Sequence, residues 1–157
     1  MIIILFVCMG NICRSPSAEG FFAAALDQSP YKELVSIDSA GTHSYHIGHS
    51  PDPRAVETAA AFGVDIAHLR ARKVRTADFH DFDLIIAMDR SNLEDLRYQQ
   101  PPESKAHLSM MMTYHPEQHP NEVPDPYYGG IDGFTYMCKL LESATAGLLN
   151  DVEDRLS

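Results

Sequence analysis

Cys8 and Arg14 stand six residues apart in the stretch CMGNICRS, with Gly10 and Asn11 between them and Ser15 immediately after. A cysteine becomes a nucleophile once it loses its proton, and an arginine offers a planar fork of donors matched to two oxygens of a phosphate. Gly10 and Asn11 are residue types that tolerate a left-handed backbone, so the chain from Met9 to Ser15 can curl until successive N–H groups converge on one point. Such a nest favours a tetrahedral oxyanion, and a cysteine at its mouth is favoured as the thiolate. The chemistry on offer is attack of sulfur on phosphorus. The plain alternative is a buried cysteine at the end of a core strand, a turn glycine and a solvated arginine. A metal reading of Cys8 and Cys13 is weaker, because Ile12 and Arg14 supply no ligands and a closed site needs four.

A second group lies far downstream, in DPYYGG at 125 to 130. Asp125 before Pro126 is either a turn residue or a general acid. Asp52 before Pro53 repeats the pair and is fully explained as a helix cap, whereas Asp125 sits in a proline-broken loop beside Tyr127 and Tyr128. Those rings are either ordinary core or surface aromatics or a wall for an aryl substrate.

The elements that would position these groups follow from the pattern. Ile2 to Val7 is a continuous apolar run, suited to a strand covered on both faces. Ser15 and Pro16 predict a helix start, with Glu19 in the first turn and the end near Leu26. Val35 and Ile37 alternate with polar neighbours as a second strand, and Ser39 to Asp52 is loop. Asp52 and Pro53 open another helix, closed before Gly63, and Thr76 caps a short one. Leu84 to Met88 and Leu108 to Met112 are further strands on either side of a helix over Ser91 to Tyr98, and the last helix runs from near Asp132 to the end. Strands alternating with helices predict an α/β fold, a doubly wound sheet of about four parallel strands with helices on both faces. Its phosphate-binding loop would follow the first strand.

The bulk numbers bound the function. With 157 residues, 45% of them hydrophobic, the chain is expected to be a single domain over residues 1–157. A net charge of −10 argues against nucleic acid as partner, which needs clustered lysine and arginine. No run approaches a membrane span and no signal segment is evident, so the expected location is cytoplasmic. There the three cysteines are expected to be reduced thiols, with Cys138 at helical spacing among Phe134, Met137 and Leu141 as a packed hydrophobe.

Taken together, CMGNICRS at 8 to 15, SAGT at 39 to 42, SPDPRA at 50 to 55, MDRSNLEDL at 88 to 96 and DPYYGG at 125 to 130 resemble the low-molecular-weight protein tyrosine phosphatases, in the same order and over nearly the whole chain. The resemblance implies hydrolysis of phosphotyrosine in proteins, and of small aryl phosphates, through a phosphocysteine intermediate. It makes Cys8 the nucleophile, and Arg14 and the amides of Met9, Gly10, Asn11, Ile12 and Cys13 the phosphate cradle. Asp125 becomes the acid and then the base. Ser15 would hydrogen-bond the Cys8 sulfur, while Asn11 and Ser39 would fix the loop. Ile12, Tyr45, Tyr127 and Tyr128 would line the aryl site, with Tyr45 standing where the family often has tryptophan. Implied partners are tyrosine-phosphorylated proteins and phosphate or related oxyanions, with no metal or other cofactor.

Further implications attach to single residues. Relatives in this fold that dephosphorylate arginine carry threonine where Ile12 stands, so aryl phosphates are the expected substrates. Cys13 would form a peroxide-induced disulfide with Cys8, and the alternative is a packed thiol. The family's supporting histidine maps to His68, in a stretch that runs one residue longer here, and the alternative is a solvated loop residue. His43, His46 and His49 recur every third residue but lack matching carboxylates or thiolates, so zinc is not expected. Two other functions share the loop. A thiol reductase of the arsenate reductase type needs two late cysteines, and only Cys138 follows Cys13. A phosphopeptide-binding module needs neither thiol nor acid.

Overall fold

Seven residues, Ile2–Cys8, form β1, and from Ile4 through Cys8 every one of them is buried. That unbroken burial requires cover on both faces, which a parallel sheet between helices provides. In a computed structural model of the chain, which describes residues 1–127 and 130–157, β1 is the second strand of a four-stranded, wholly parallel sheet. β2, Val35–Gly41, pairs along one edge of it in the register Ile2 to Val35 through Cys8 to Gly41. β3, Leu84–Ala87, pairs along the other edge from Ile4 to Leu84, and β4, His107–Met110, lies outside β3. The order β2-β1-β3-β4 means that the chain leaves β1 in one direction and returns to its other side. In such sheets a crevice opens at the carboxyl ends of the strands where the order reverses, directly over the loop that follows β1.

Helices α1 (Arg14–Leu26), α2 (Pro53–Ala61) and α5 (Ile131–Leu156) cover one face, where Ile4 and Phe6 pack with Phe22, Ala59, Phe134, Leu141 and Leu148. Helices α3 (Asp78–Asp81) and α4 (Arg90–Gln99) cover the other, where Leu5 and Val7 meet Phe79, Leu93 and Leu96. Alternate residues of β1 thus supply both cores. The Phe6 and Phe22 rings, tilted with centroids 5.8 Å apart, tie α1 to the strand that precedes it. Truncating either ring would cost about 3–5 kcal/mol. Among the described residues no helix is long and apolar enough to cross a membrane.

The α/β architecture expected from the pattern is the one observed; several boundaries move. α1 starts at Arg14 with Cys13 at its cap position, so Ser15 is not the cap and Glu19 lies beyond the first turn. Pro16 falls third in the helix, where its missing N–H still forfeits no intrahelical bond. Ser39 to Gly41 belongs to β2 rather than to a loop, because Ser39 and Ala40 pair with Phe6 and Val7. Ala77 rather than Thr76 precedes α3. α4 begins at Arg90, one residue early, because Asp89 and Asn92 form a reciprocal capping box. β4 ends at Met110, and Met111 and Met112 enter a 3₁₀ turn. Asp52 caps α2 as expected, accepting from the Arg54 N–H at 2.8 Å.

Candidate active site

Cys8 ends β1 and the chain turns at once. Asn11 takes φ +57°, the left-handed conformation its type suggested, and its side chain then reaches three ways. Its amide nitrogen donates to Ser15 Oγ at 2.7 Å and to Ser39 Oγ at 3.0 Å, while its oxygen accepts the Arg72 N–H at 3.0 Å. Because both hydroxyls accept from Asn11, each points its proton elsewhere. Ser39 donates to Glu19 at 2.7 Å, and Ser15 Oγ lies 3.0 Å from Cys8 Sγ. The sulfur also accepts the Asn11 N–H at 3.3 Å. Burial pushes the Glu19 carboxyl up from its ordinary value, against the pull of the Ser39 hydrogen bond. Behind Asn11, the Arg72 guanidinium bridges Asp38 and Asp78, each at 3.0 Å.

Backbone bonds close the cage. Cys8, Met9 and Ile12 carbonyls accept from the N–H groups of Thr42, His43 and Asp52 at 2.9, 3.0 and 2.8 Å. Gly41 allows this approach: a Cβ there would stand 2.7 Å from the Met9 oxygen and 3.2 Å from the Asn11 nitrogen. SAGT therefore contributes a close backbone contact that residue chemistry alone did not single out.

Arg14 is buried and points at the same crevice from the first turn of α1. One terminal nitrogen donates to Asp89 at 2.6 Å and to the Val123 carbonyl at 3.1 Å; the other lies 3.6 Å from Asp125. Burial opposes its charge, but Cys8 and the carboxylates of Asp89 and Asp125 outweigh it and hold the guanidinium above its ordinary value. Asp125 itself accepts the Tyr127 N–H at 3.0 Å. Arg54, ion-paired with Asp52 at 2.9 Å, donates to the Tyr127 carbonyl at 3.1 Å and lies over the Phe134 ring at 4.7 Å. The cap of α2 thereby anchors the downstream loop.

These groups enclose a cavity of about 250 Å³. Cys8, Met9, Gly10, Ile12, Cys13 and Arg14 line its floor, and Tyr45, Asp125 and Tyr127 stand at its rim with His46, which sequence reasoning left among the spaced histidines. Tyr45 stacks on His43 with centroids 5.3 Å apart, and His46 tilts against Tyr127 at 6.2 Å. Asn11, Ser15 and Ser39 lie behind the floor, as the bonds above require. Cys8, Cys13 and Cys138 are all free. Burial pushes the Cys13 thiol far up, and the nearby charges of Asp52, Cys8 and Asp125 push it further. Burial alone accounts for most of the rise of Cys138 to about 12. His68 is not brought to the cavity: it is exposed and lies 3.8 Å from Asp65, and only when protonated does it act on Glu19 through space. Tyr128 lies outside the described residues.

Comparison with known proteins bears on this geometry. The family described as low molecular weight phosphotyrosine protein phosphatase matches residues 3–157. A protein of that name from Schizosaccharomyces pombe is 44% identical over 132 residues, 83% of this chain and 84% of its own. A low molecular weight protein-tyrosine-phosphatase of Streptomyces coelicolor is 39% identical over 156 residues, 98% of this chain and 94% of its own. The crystal structure of a protein tyrosine phosphatase from Entamoeba histolytica, with Hepes in its active site, superposes with a TM-score of 0.94 at 36% identity and covers 100% of both chains. With sequence and fold matched from end to end, the chain belongs to the low molecular weight phosphotyrosine protein phosphatase family.

Proposed function

We propose that the protein hydrolyses phosphotyrosine in proteins, and small aryl phosphates, through a phosphocysteine intermediate formed on Cys8. The observation that carries the reading is the meeting of Cys8, Arg14 and Asp125, drawn from positions over a hundred residues apart, around one cavity. A binding module has no use for a thiol in an anion nest or for a carboxyl opposite it. The Hepes in the Entamoeba histolytica enzyme carries a sulfonate, a tetrahedral oxyanion, which supports an anion-binding floor here.

In this reading the phosphate sits on the amides of Met9 to Cys13 and on the remaining edge of Arg14, whose Nε and second terminal nitrogen hold no hydrogen bond among the described residues. Cys8 Sγ attacks phosphorus in line, an S–P bond forms and the P–O bond to the aryl group breaks. Asp125 delivers its proton to the departing phenolate oxygen. Water then attacks the phosphocysteine, Asp125 takes a proton from it, and inorganic phosphate leaves as the S–P bond breaks. The Ser15 hydroxyl and Asn11 N–H steady the sulfur as it becomes the leaving group. Ile12, Tyr45 and Tyr127 flank the ring of the substrate, and the apolar Ile12 favours an aryl phosphate over phosphoarginine. Cys13 is read as the residue that displaces water from a peroxide-formed Cys8 sulfenic acid, giving a disulfide that dithiothreitol reduces.

The test is hydrolysis of phenyl phosphate and phosphotyrosyl peptide by the wild type and by Cys8→Ser, with phosphoarginine as competitor substrate. The expected result is turnover by the wild type, none by the variant, and slow or no release from phosphoarginine. Equal activity of the two proteins, or none in either, would defeat the enzymatic reading.

A further inference from the structure

We infer that Glu122 is a positioning residue for Asp125: its carboxylate ties the proton-donating loop to the helix end that also holds Arg14. The inference rests on the reading of Asp125 as the acid.

The amino end of α4 presents N–H groups with no intrahelical partner and the positive end of the helix dipole. Two carboxylates divide it. Asp89 accepts the Asn92 N–H at 2.8 Å with one oxygen and keeps the other for Arg14 at 2.6 Å. Glu122 accepts the N–H of Arg90, the first helical residue, at 2.6 Å. That bond is charge-assisted and lies three residues from Asp125. The next residue is held on both sides, since the Val123 N–H donates to the Met88 carbonyl at 2.9 Å and its own carbonyl accepts from Arg14 at 3.1 Å.

From there to Asp125 the chain has little slack. Pro124 and Pro126 flank the aspartate with fixed φ. Few torsions are therefore left to absorb a shift at Glu122 before it reaches the Asp125 carboxyl. The Arg14 contact at Val123 means that the same loop carries the acid and buttresses the guanidinium, and Glu122 is the side chain that pins its upstream end. The hydrogen bond is open to solvent, so its energy is modest; what it governs is placement. A displacement near 1 Å at a reacting group costs up to about 10²-fold in rate, and with Val123 still bonded the expected loss is about tenfold.

The test measures kcat/KM for phenyl phosphate, whose poor leaving group needs the acid, and for p-nitrophenyl phosphate, which needs it little. Glu122→Ala and Glu122→Gln are made in the wild type and in Asp125→Ala, each with a thermal melt. Glu122→Ala is expected to lose about tenfold on phenyl phosphate and less than about twofold on p-nitrophenyl phosphate. Glu122→Gln keeps a carbonyl acceptor and should recover to within about threefold. In the Asp125→Ala background, Glu122→Ala should change the phenyl phosphate rate less than about twofold, because there is no acid left to misplace. Equal losses on both substrates, no loss on either, no recovery with glutamine, or an undiminished loss without Asp125 would each overturn the inference. If Asp125→Ala alone leaves the phenyl phosphate rate unchanged, the acid assignment falls first, and that result is read separately from the Glu122 arms.

Discussion

Arg14 donates to Asp89 at 2.6 Å across 75 residues of sequence, and the same aspartate caps α4 with its other oxygen. The guanidinium is thereby oriented by a helix end that is itself fixed against β3. Substitution can separate the two duties. Asn at this position still caps, whereas Ala removes cap and partner together. Asp89→Asn keeps the cap but leaves the buried guanidinium facing a neutral partner, so it is expected to melt somewhat below the wild type while inorganic phosphate inhibits about tenfold more weakly, the loss of one charge-assisted bond. Asp89→Ala should show the same weakening and in addition melt about 2–4 °C lower. Calorimetry and phosphate inhibition constants on the two variants check this.

Asn11 offers a parallel separation of backbone from side chain. Its φ of +57° is free for glycine and costs alanine about 1–2 kcal/mol, while both variants lose the bonds to Ser15, Ser39 and Arg72. Both should therefore turn over aryl phosphate about 10- to 100-fold more slowly, since the loop donors are no longer held in place. Urea denaturation should place Asn11→Ala about 1–2 kcal/mol below Asn11→Gly. Equal stabilities would show that the left-handed turn is not under strain to be relieved.

What the sequence discloses of this site is whatever is local to it. Six apolar letters, Ile2 to Val7, announce β1, cysteine, glycine, asparagine and arginine announce the turn after it, and Asp52 with Pro53 announces α2. Relationships across the sheet leave no such mark. Asp89 stands in MDRSNLEDL just ahead of the helix expected over Ser91 to Tyr98, and nothing local says that one carboxylate oxygen caps α4 while the other meets Arg14. Ser15 failed as a cap for the complementary reason: Ser-Pro is a start signal, but the fold sets sulfur 3.0 Å from the hydroxyl, and that tertiary bond takes the place of the cap. Gly41 is invisible until β2 is laid beside the loop. His68 shows the reverse, a local match that the fold leaves exposed beside Asp65 and away from the cavity lining.

The two cysteines of the loop should react very differently. Cys8 faces the Asn11 N–H and Ser15, with Arg14 beside it, whereas Cys13 is pushed far up by burial and by the charges of Asp52, Cys8 and Asp125. Since the thiolate is the reactive form, iodoacetamide at neutral pH should label Cys8 and leave Cys13 and Cys138 unmodified until the protein unfolds. Peptide mass spectrometry reads the sites directly. In the proposed reading phosphate seats on the loop amides beside the sulfur, so inorganic phosphate should protect Cys8. Labelling of Cys13 ahead of Cys8 would contradict this assignment of reactivity.

Glu19 links the site to acid stability. Burial raises its carboxyl above the ordinary 4.5, with Asp38 adding to the rise and the Ser39 hydroxyl, His68 and Arg72 opposing it. A carboxyl raised in the folded state still holds its proton where the unfolded chain has lost it. Its contribution thus favours folding at low pH and declines as pH climbs from about 4.5 through the raised value. Glu19→Gln carries no such charge, keeps an oxygen to accept from Ser39, and leaves its amide nitrogen open to water because the position is half-buried. The variant should therefore match the wild type below pH 4.5 and melt at a higher temperature at pH 7. Its activity should change little, since Asn11 still finds Ser39 Oγ as an acceptor. A melting difference that stays constant from pH 4 to pH 8 would mean that Glu19 acts through packing, not through its proton.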